Sequence, residues 1–181
     1  IIFHPGSYFG KEPDVVLPIA IKRLEACVVE LRSNGNPVTL RPETMGKSAM
    51  LGSFEDCIKM SQMIPGVLPC IDFAHLHART GIGGLNSYDE WINILEIYKY
   101  SLGETALQNL HIHLSGIEYS EKGERNHLPL LESDFNLTDL LRVLRDLGCA
   151  GRILCESPIM EEDALLIKNQ WYEINNAQDN Q

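Results

Sequence analysis

Apolar residues along this chain follow two spacings in alternation. Short runs rich in β-branched residues, apolar on both faces, give way to longer stretches with apolar positions every three or four residues. Leu17, Ile21, Leu24, Val28 and Leu31 predict a helix over roughly 14–33, stopped by Asn34-Gly35-Asn36. Ser53 opens a second helix with Phe54, Cys57, Ile58 and Ser61 on one face. Ser87 and Glu90 form a capping-box pattern ahead of Trp91, Ile92, Leu95 and Tyr98. Leu137, Leu140, Leu141, Leu144 and Leu147 predict a helix ending at Gly148, and a last one is expected from Glu161 to Ile174. Between them lie strands read from IIFHPG, PVTLRPE, GVLPCIDF, LHIHLSG and GRILCESP. The stretch TGIGGLNS lacks GxGxxG spacing and reads as a plain loop, as does the long polar segment after the fourth strand. Residues 175–181 read as a disordered tail.

Strands alternating with helices predict βα units on a parallel sheet, hence an α/β fold. The ends of those strands change the picture. The first ends in His4, the second in Glu43, the third in Asp72 with His75, the fourth in His113 and the fifth in Glu156. In a parallel α/β fold these ends open on one face, where barrel active sites are built. Such a convergence of acids and histidines calls for cations, and the donor set suits Zn²⁺ first, then Mn²⁺ or Fe²⁺. Blander roles exist for single members. Glu43 has Arg41 as a same-face neighbour, Asp72 can cap the next turn, and His77 and His111 fit hydrogen-bonded structural positions.

The 181 residues are 44% apolar and 22% charged, ordinary for a globular protein. No apolar run approaches the ~20 residues of a membrane span, so no membrane partner is expected and a cytoplasmic location is. The five cysteines form no CxxC pair, which fits reduced thiols better than a disulfide framework. A net charge of −10 opposes nucleic-acid binding unless the acids hold cations. No obligate protein partner is evident. The chain opens mid-strand without Met, and is expected to be part of something longer.

The segments FHPGS, PETMGK, CIDFAH, HLSGIEYSEKGERNHLPL and ILCESP, in that order, resemble the strand-end motifs of the endonuclease IV family. That family belongs to the xylose-isomerase-like (β/α)8 TIM barrels. The resemblance implies that residues 1–174 are the C-terminal portion of such a barrel, about its last five βα units. It implies an apurinic/apyrimidinic endonuclease that cleaves double-stranded DNA 5′ to abasic sites, using two or three Zn²⁺ ions. It assigns His4 to the first zinc, Glu43 to the bridge that orients the attacking hydroxide, and Asp72, His113 and Glu156 to the second. The resemblance makes Glu43 and Glu156 the catalytic carboxylates. His75 and His127 match ligands of a third zinc, whose aspartate position is here Arg125, with Glu124 or Asn126 as substitutes. The alternative on the same barrel is a sugar isomerase or epimerase. Its single divalent ion needs only Glu43, Asp72, His113 and Glu156.

Overall fold

The computed structural model describes residues 1–176. Its parallel strands are β1 (Ile2–Phe3), β2 (Arg41–Pro42), β3 (Ile71–Asp72), β4 (Leu110–Leu114) and β7 (Gly151–Cys155). β1 pairs with β2, and β3, β4 and β7 lie side by side. Parallel bridges Leu40–Val67 and Glu43–Cys70 join the two groups into one curved array. The second and third strands are far shorter than the sequence pattern suggested, and the reason is proline. Pro42 and Pro69 have no N–H to donate, so this ladder survives only as bonds such as Leu68 N–H to the Leu40 carbonyl (3.1 Å) and Cys70 N–H to the Pro42 carbonyl (3.0 Å).

Helices α1 (Pro13–Ser33), α2 (Phe54–Met63), α3 (Phe73–Arg79), α4 (Tyr88–Leu102), α5 (Glu104–Leu107), α6 (Leu137–Asp146) and α7 (Glu161–Asn176) complete the βα order. The larger core gathers Phe73, Trp91, Leu95, Tyr98, Leu140 and Leu141 against Ile71, Ile112 and Leu114. A smaller one seats Leu24 and Val28 of α1 on Leu40, Met60 and Val67. The expected capping box at Ser87 forms, and Ser53 makes a second one with Asp56. Ser53 Oγ accepts from Asp56 N–H (3.1 Å) while the Asp56 carboxylate takes the Ser53 N–H (3.1 Å), and Glu90 does the same for Ser87 (3.0 Å).

Three expectations are corrected. The polar segment after β4 is an antiparallel hairpin, β5 (Gly116–Ser120) and β6 (Gly123–Leu128), whose polar composition hid the strands. Helix α3 starts directly after β3, because the Asp72 carboxylate accepts from the His75 N–H (2.8 Å) and nucleates the turn at once. The last helix continues through Asn175 and Asn176, so the expected disordered tail is ordered there, and its remaining residues, 177–181, lie outside those described. One glycine is required by packing. Gly151 opens β7 at φ +143°, and a Cβ there would sit 2.1 Å from the Leu110 carbonyl oxygen. Among the described residues no helix is long and apolar enough to cross a membrane.

Candidate metal centre

The parallel array delivers its strand ends to one place. Glu43, Asp72, His113 and Glu156 each bring a donor atom to within 4.8 Å of the others'. His113 Nδ1 is the hub, 3.0 Å from Glu43 Oε1 and 3.1 Å from Glu156 Oε1. Glu43 is 3% exposed and Asp72 fully buried. The alternative partner for Glu43 is elsewhere: Arg41 donates to the Pro69 carbonyl (3.0 Å) and the Asn109 carbonyl (3.1 Å).

Asp72 has both roles that the sequence allowed. Its Oδ1 caps α3, while Oδ2 is buried with no hydrogen-bond donor. Burial pushes its carboxyl pKa up, against the pull of the neighbouring His75. Thr44 fixes its backbone. Thr44 Oγ1 accepts from the Asp72 N–H (2.8 Å) and donates to the Asp72 carbonyl (3.1 Å). Burial opposes charging of His113, yet Cys70, Glu156 and Glu43 around it push its pKa up to about 12. Glu156 in turn is held low by His113. A proton on His113 therefore does electrostatically what a cation would do among three carboxylates.

A second group lies beside the first. His75 Nδ1–H donates to the Thr44 carbonyl (2.9 Å) and His127 Nδ1–H donates to the Glu156 carbonyl (3.0 Å). Each bond fixes the tautomer and turns the other nitrogen inward, the arrangement that orients metal-ligating histidines. The two Nε2 atoms face each other at 3.3 Å, and Glu124 Oε2 is 3.6 Å from that of His75. Two lone pairs at that distance need a proton or a metal ion between them. Of the two candidates for the aspartate position, Glu124 is present and Asn126 is not. Asn126 donates to Glu118 (2.8 Å), and Arg125 pairs with the same carboxylate (3.3 Å).

A β-bulge explains why. Tyr119 pairs with Glu124 and Glu118 with Asn126, so Arg125 is an extra residue in β6. The insertion slips the side-chain alternation by one, which puts Glu124 and His127 on the same face. His4 is the outlying member, exposed, with Nε2 3.4 Å from Glu43 Oε2. His77 is structural, held between the Gly84 carbonyl (2.9 Å) and the Asp134 carboxylate (3.0 Å). His111 joins a third group, with Cys70 and His113, that sequence reading passed over.

The residues fit a divalent ion. An orphaned buried carboxylate oxygen, paired inward-facing imidazoles and a mixed nitrogen–oxygen donor set suit the Zn²⁺, Mn²⁺ or Fe²⁺ class.

Comparison with known proteins agrees with the fold. A family model described as xylose isomerase-like TIM barrel matches residues 1–173. Uncharacterized protein MJ0133 of Methanocaldococcus jannaschii is 40% identical over 174 residues, 96% of this chain and 63% of its own length. A crystal structure of a D-tagatose 3-epimerase-like protein superposes with a TM-score of 0.68 at 18% identity, over 99% of this chain and 62% of that one. A xylose isomerase domain protein from Alicyclobacillus acidocaldarius gives 0.59 at 17% identity, over 96% and 62%. The chain thus spans about 63% of the length of that curated relative.

Proposed function

This chain belongs to the xylose isomerase-like TIM barrel family, and on that premise we propose that it is a divalent-metal-dependent isomerase or epimerase of a small sugar-type substrate. The observation that carries the reading is the carboxylate pair. Glu43 at the end of β2 and Glu156 at the end of β7 stand 3.0 and 3.1 Å from one His113 nitrogen. Epimerisation beside a carbonyl, or isomerisation through an enediol, needs one group to take a proton from carbon and another to return it. Two carboxylates brought from separate strands onto one substrate supply that pair.

A divalent ion held by Glu43, Asp72, His113 and Glu156 would polarise the substrate's oxygens and make the carbon acid stronger. Asp72 is fixed by Thr44 and by its place at the head of α3, so the chain itself sets the geometry of the site. The two solved structures it resembles, a D-tagatose 3-epimerase-like protein and a xylose isomerase domain protein, favour the same substrate class. So does the net charge of −10, which repels a polyanionic duplex.

The test is carbon-bound hydrogen exchange. The full chain, loaded with Zn²⁺, Mn²⁺ or Co²⁺, is incubated with a panel of ketoses and aldoses in D₂O and followed by NMR. Deuterium entering a sugar C–H, and lost in Glu43→Gln and Glu156→Gln, supports the reading. A panel in which no sugar is converted and none exchanges overturns it.

A specific observation favours the second reading, an endonuclease IV-like enzyme acting on abasic sites in double-stranded DNA. His4 beside Glu43, and the His75–His127–Glu124 group, are donors that a one-ion isomerase does not need. Under that reading two or three ions, zinc first, would occupy the site, with Glu43 shared between ions. Incision 5′ to an abasic site in a duplex oligonucleotide, without sugar exchange, establishes it.

A further inference from the structure

The parallel register carries more than one row of donors. Asp72 of β3 pairs with His113 of β4. Two residues back on each strand, on the same face, Cys70 stands against His111. One donor atom each from Cys70, His111 and His113 lies within 4.8 Å of the others. Cys70 is wholly buried and His113 is 4% exposed. The Nε2 atoms of both histidines are buried without a hydrogen-bond partner. Since His113 Nδ1 already serves Glu43 and Glu156, its Nε2 is the nitrogen left for this lower row.

We propose that Cys70, His111 and His113 form a separate thiolate-containing metal site, set deeper in the barrel than the carboxylate cluster and sharing His113 with it. One sulfur and two imidazole nitrogens select a thiophilic ion of the Zn²⁺ class, against the oxygen-rich set above that also accepts Mn²⁺. Binding takes the proton from the Cys70 thiol, which becomes the ligating thiolate, and the proton from Nε2 of the His113 imidazolium, and releases both to solvent. The ion relieves two orphaned nitrogens that otherwise cost desolvation energy. With only the lower site filled, His113 Nδ1 keeps its proton toward Glu43 and Glu156; with both filled it releases that proton to solvent and bridges as an imidazolate, so filling the lower site fixes the ring that serves the upper. The proposal stands independently of which reaction the carboxylate cluster performs.

Cobalt(II) is the probe, because only a thiolate ligand gives it an intense near-ultraviolet charge-transfer band. Titrating the metal-free full chain should raise such a band that saturates with one equivalent bound at the thiolate. The band should vanish in Cys70→Ser, persist in Cys27→Ser and Cys149→Ser, and need at least tenfold more cobalt in His111→Phe. In case Cys70→Ser misfolds, X-ray absorption on the zinc-loaded chain lacking Cys27, Cys149 and Cys155 should show sulfur at ~2.3 Å. The absence of both the band and the sulfur shell, or a band that survives in folded Cys70→Ser, overturns the proposal. The cobalt–thiolate band needs no sugar turnover, so the failure of either reading is seen separately.

Discussion

Replacing Thr44 with valine removes one oxygen from the wholly buried junction between β2 and β3 and leaves shape nearly unchanged. That oxygen accepts from the Asp72 N–H at 2.8 Å and donates to the Asp72 carbonyl at 3.1 Å. Two net hydrogen bonds of ~0.5–1.5 kcal/mol each are lost, and a buried amide is left unpaired at ~1–3 kcal/mol. These overlap, so a loss of about 2–3 kcal/mol is expected, roughly 30- to 150-fold in the folding equilibrium. Urea unfolding of the metal-free chain, followed through the tryptophans, measures it. Thr44→Ser keeps the oxygen and gives up a methyl, about 1 kcal/mol. Zinc affinity of the valine variant should drop ~10–100-fold, because Asp72 loses its orientation. If valine unfolds within ~0.5 kcal/mol of the native chain, or if serine and valine are equally poor, Thr44 does not hold Asp72 in place.

Other outcomes are equally concrete. Glu43→Gln and Glu156→Gln should each cut sugar exchange by ~10²–10⁴-fold while the chain still melts cooperatively; near-native exchange in either variant would remove that residue from proton transfer. Gly151→Ala should unfold or aggregate, since its Cβ would stand 2.1 Å from the Leu110 carbonyl oxygen, and a native thermal melt would contradict this. His113 must shed the proton that its neighbours hold with a pKa of about 12 before Nδ1 can ligate. Metal affinity should therefore rise about tenfold per pH unit between pH 6 and 8, as calorimetry at several pH values would show. Exposed Cys27 should alkylate first, while Cys57 and Cys149, whose thiol pKa values are raised by burial (to about 11 for Cys149), should react slowly until denaturant is added.

How much of the site the sequence revealed depends on what carries each residue. Glu43, Asp72, His113 and Glu156 end parallel strands, so a pattern of apolar run followed by ligand located all four, and the structure brings them together. Glu124 was only one of two candidates, because residues three apart on a regular strand face opposite ways. The bulge at Arg125 that reverses this has no sequence signal of its own. Thr44 passed as an ordinary residue of PETMGK, its role being visible only once β2 and β3 lie side by side. Cys70 lies inside an apolar run and reads as strand interior, and His111 reads as a hydrogen-bonded structural residue, so nothing in the pattern joins the two. Proline shortened the second and third strands in a way visible in hindsight, since Pro42 and Pro69 cannot both sit in a full ladder.

The hairpin β5–β6 divides the donors by inheritance as well as by position. Glu43, Asp72, His113 and Glu156 are held by the sheet itself, so any change in their spacing must be accommodated by the whole core. Glu124 and His127 ride on an excursion whose strands, among the described residues, pair only with each other. Such a segment can be lengthened, trimmed or exchanged between related chains as a cassette, with the barrel left as it was. On the proposed reading, the sheet-borne donors would set what reaction is accessible, and the hairpin-borne donors which molecule undergoes it.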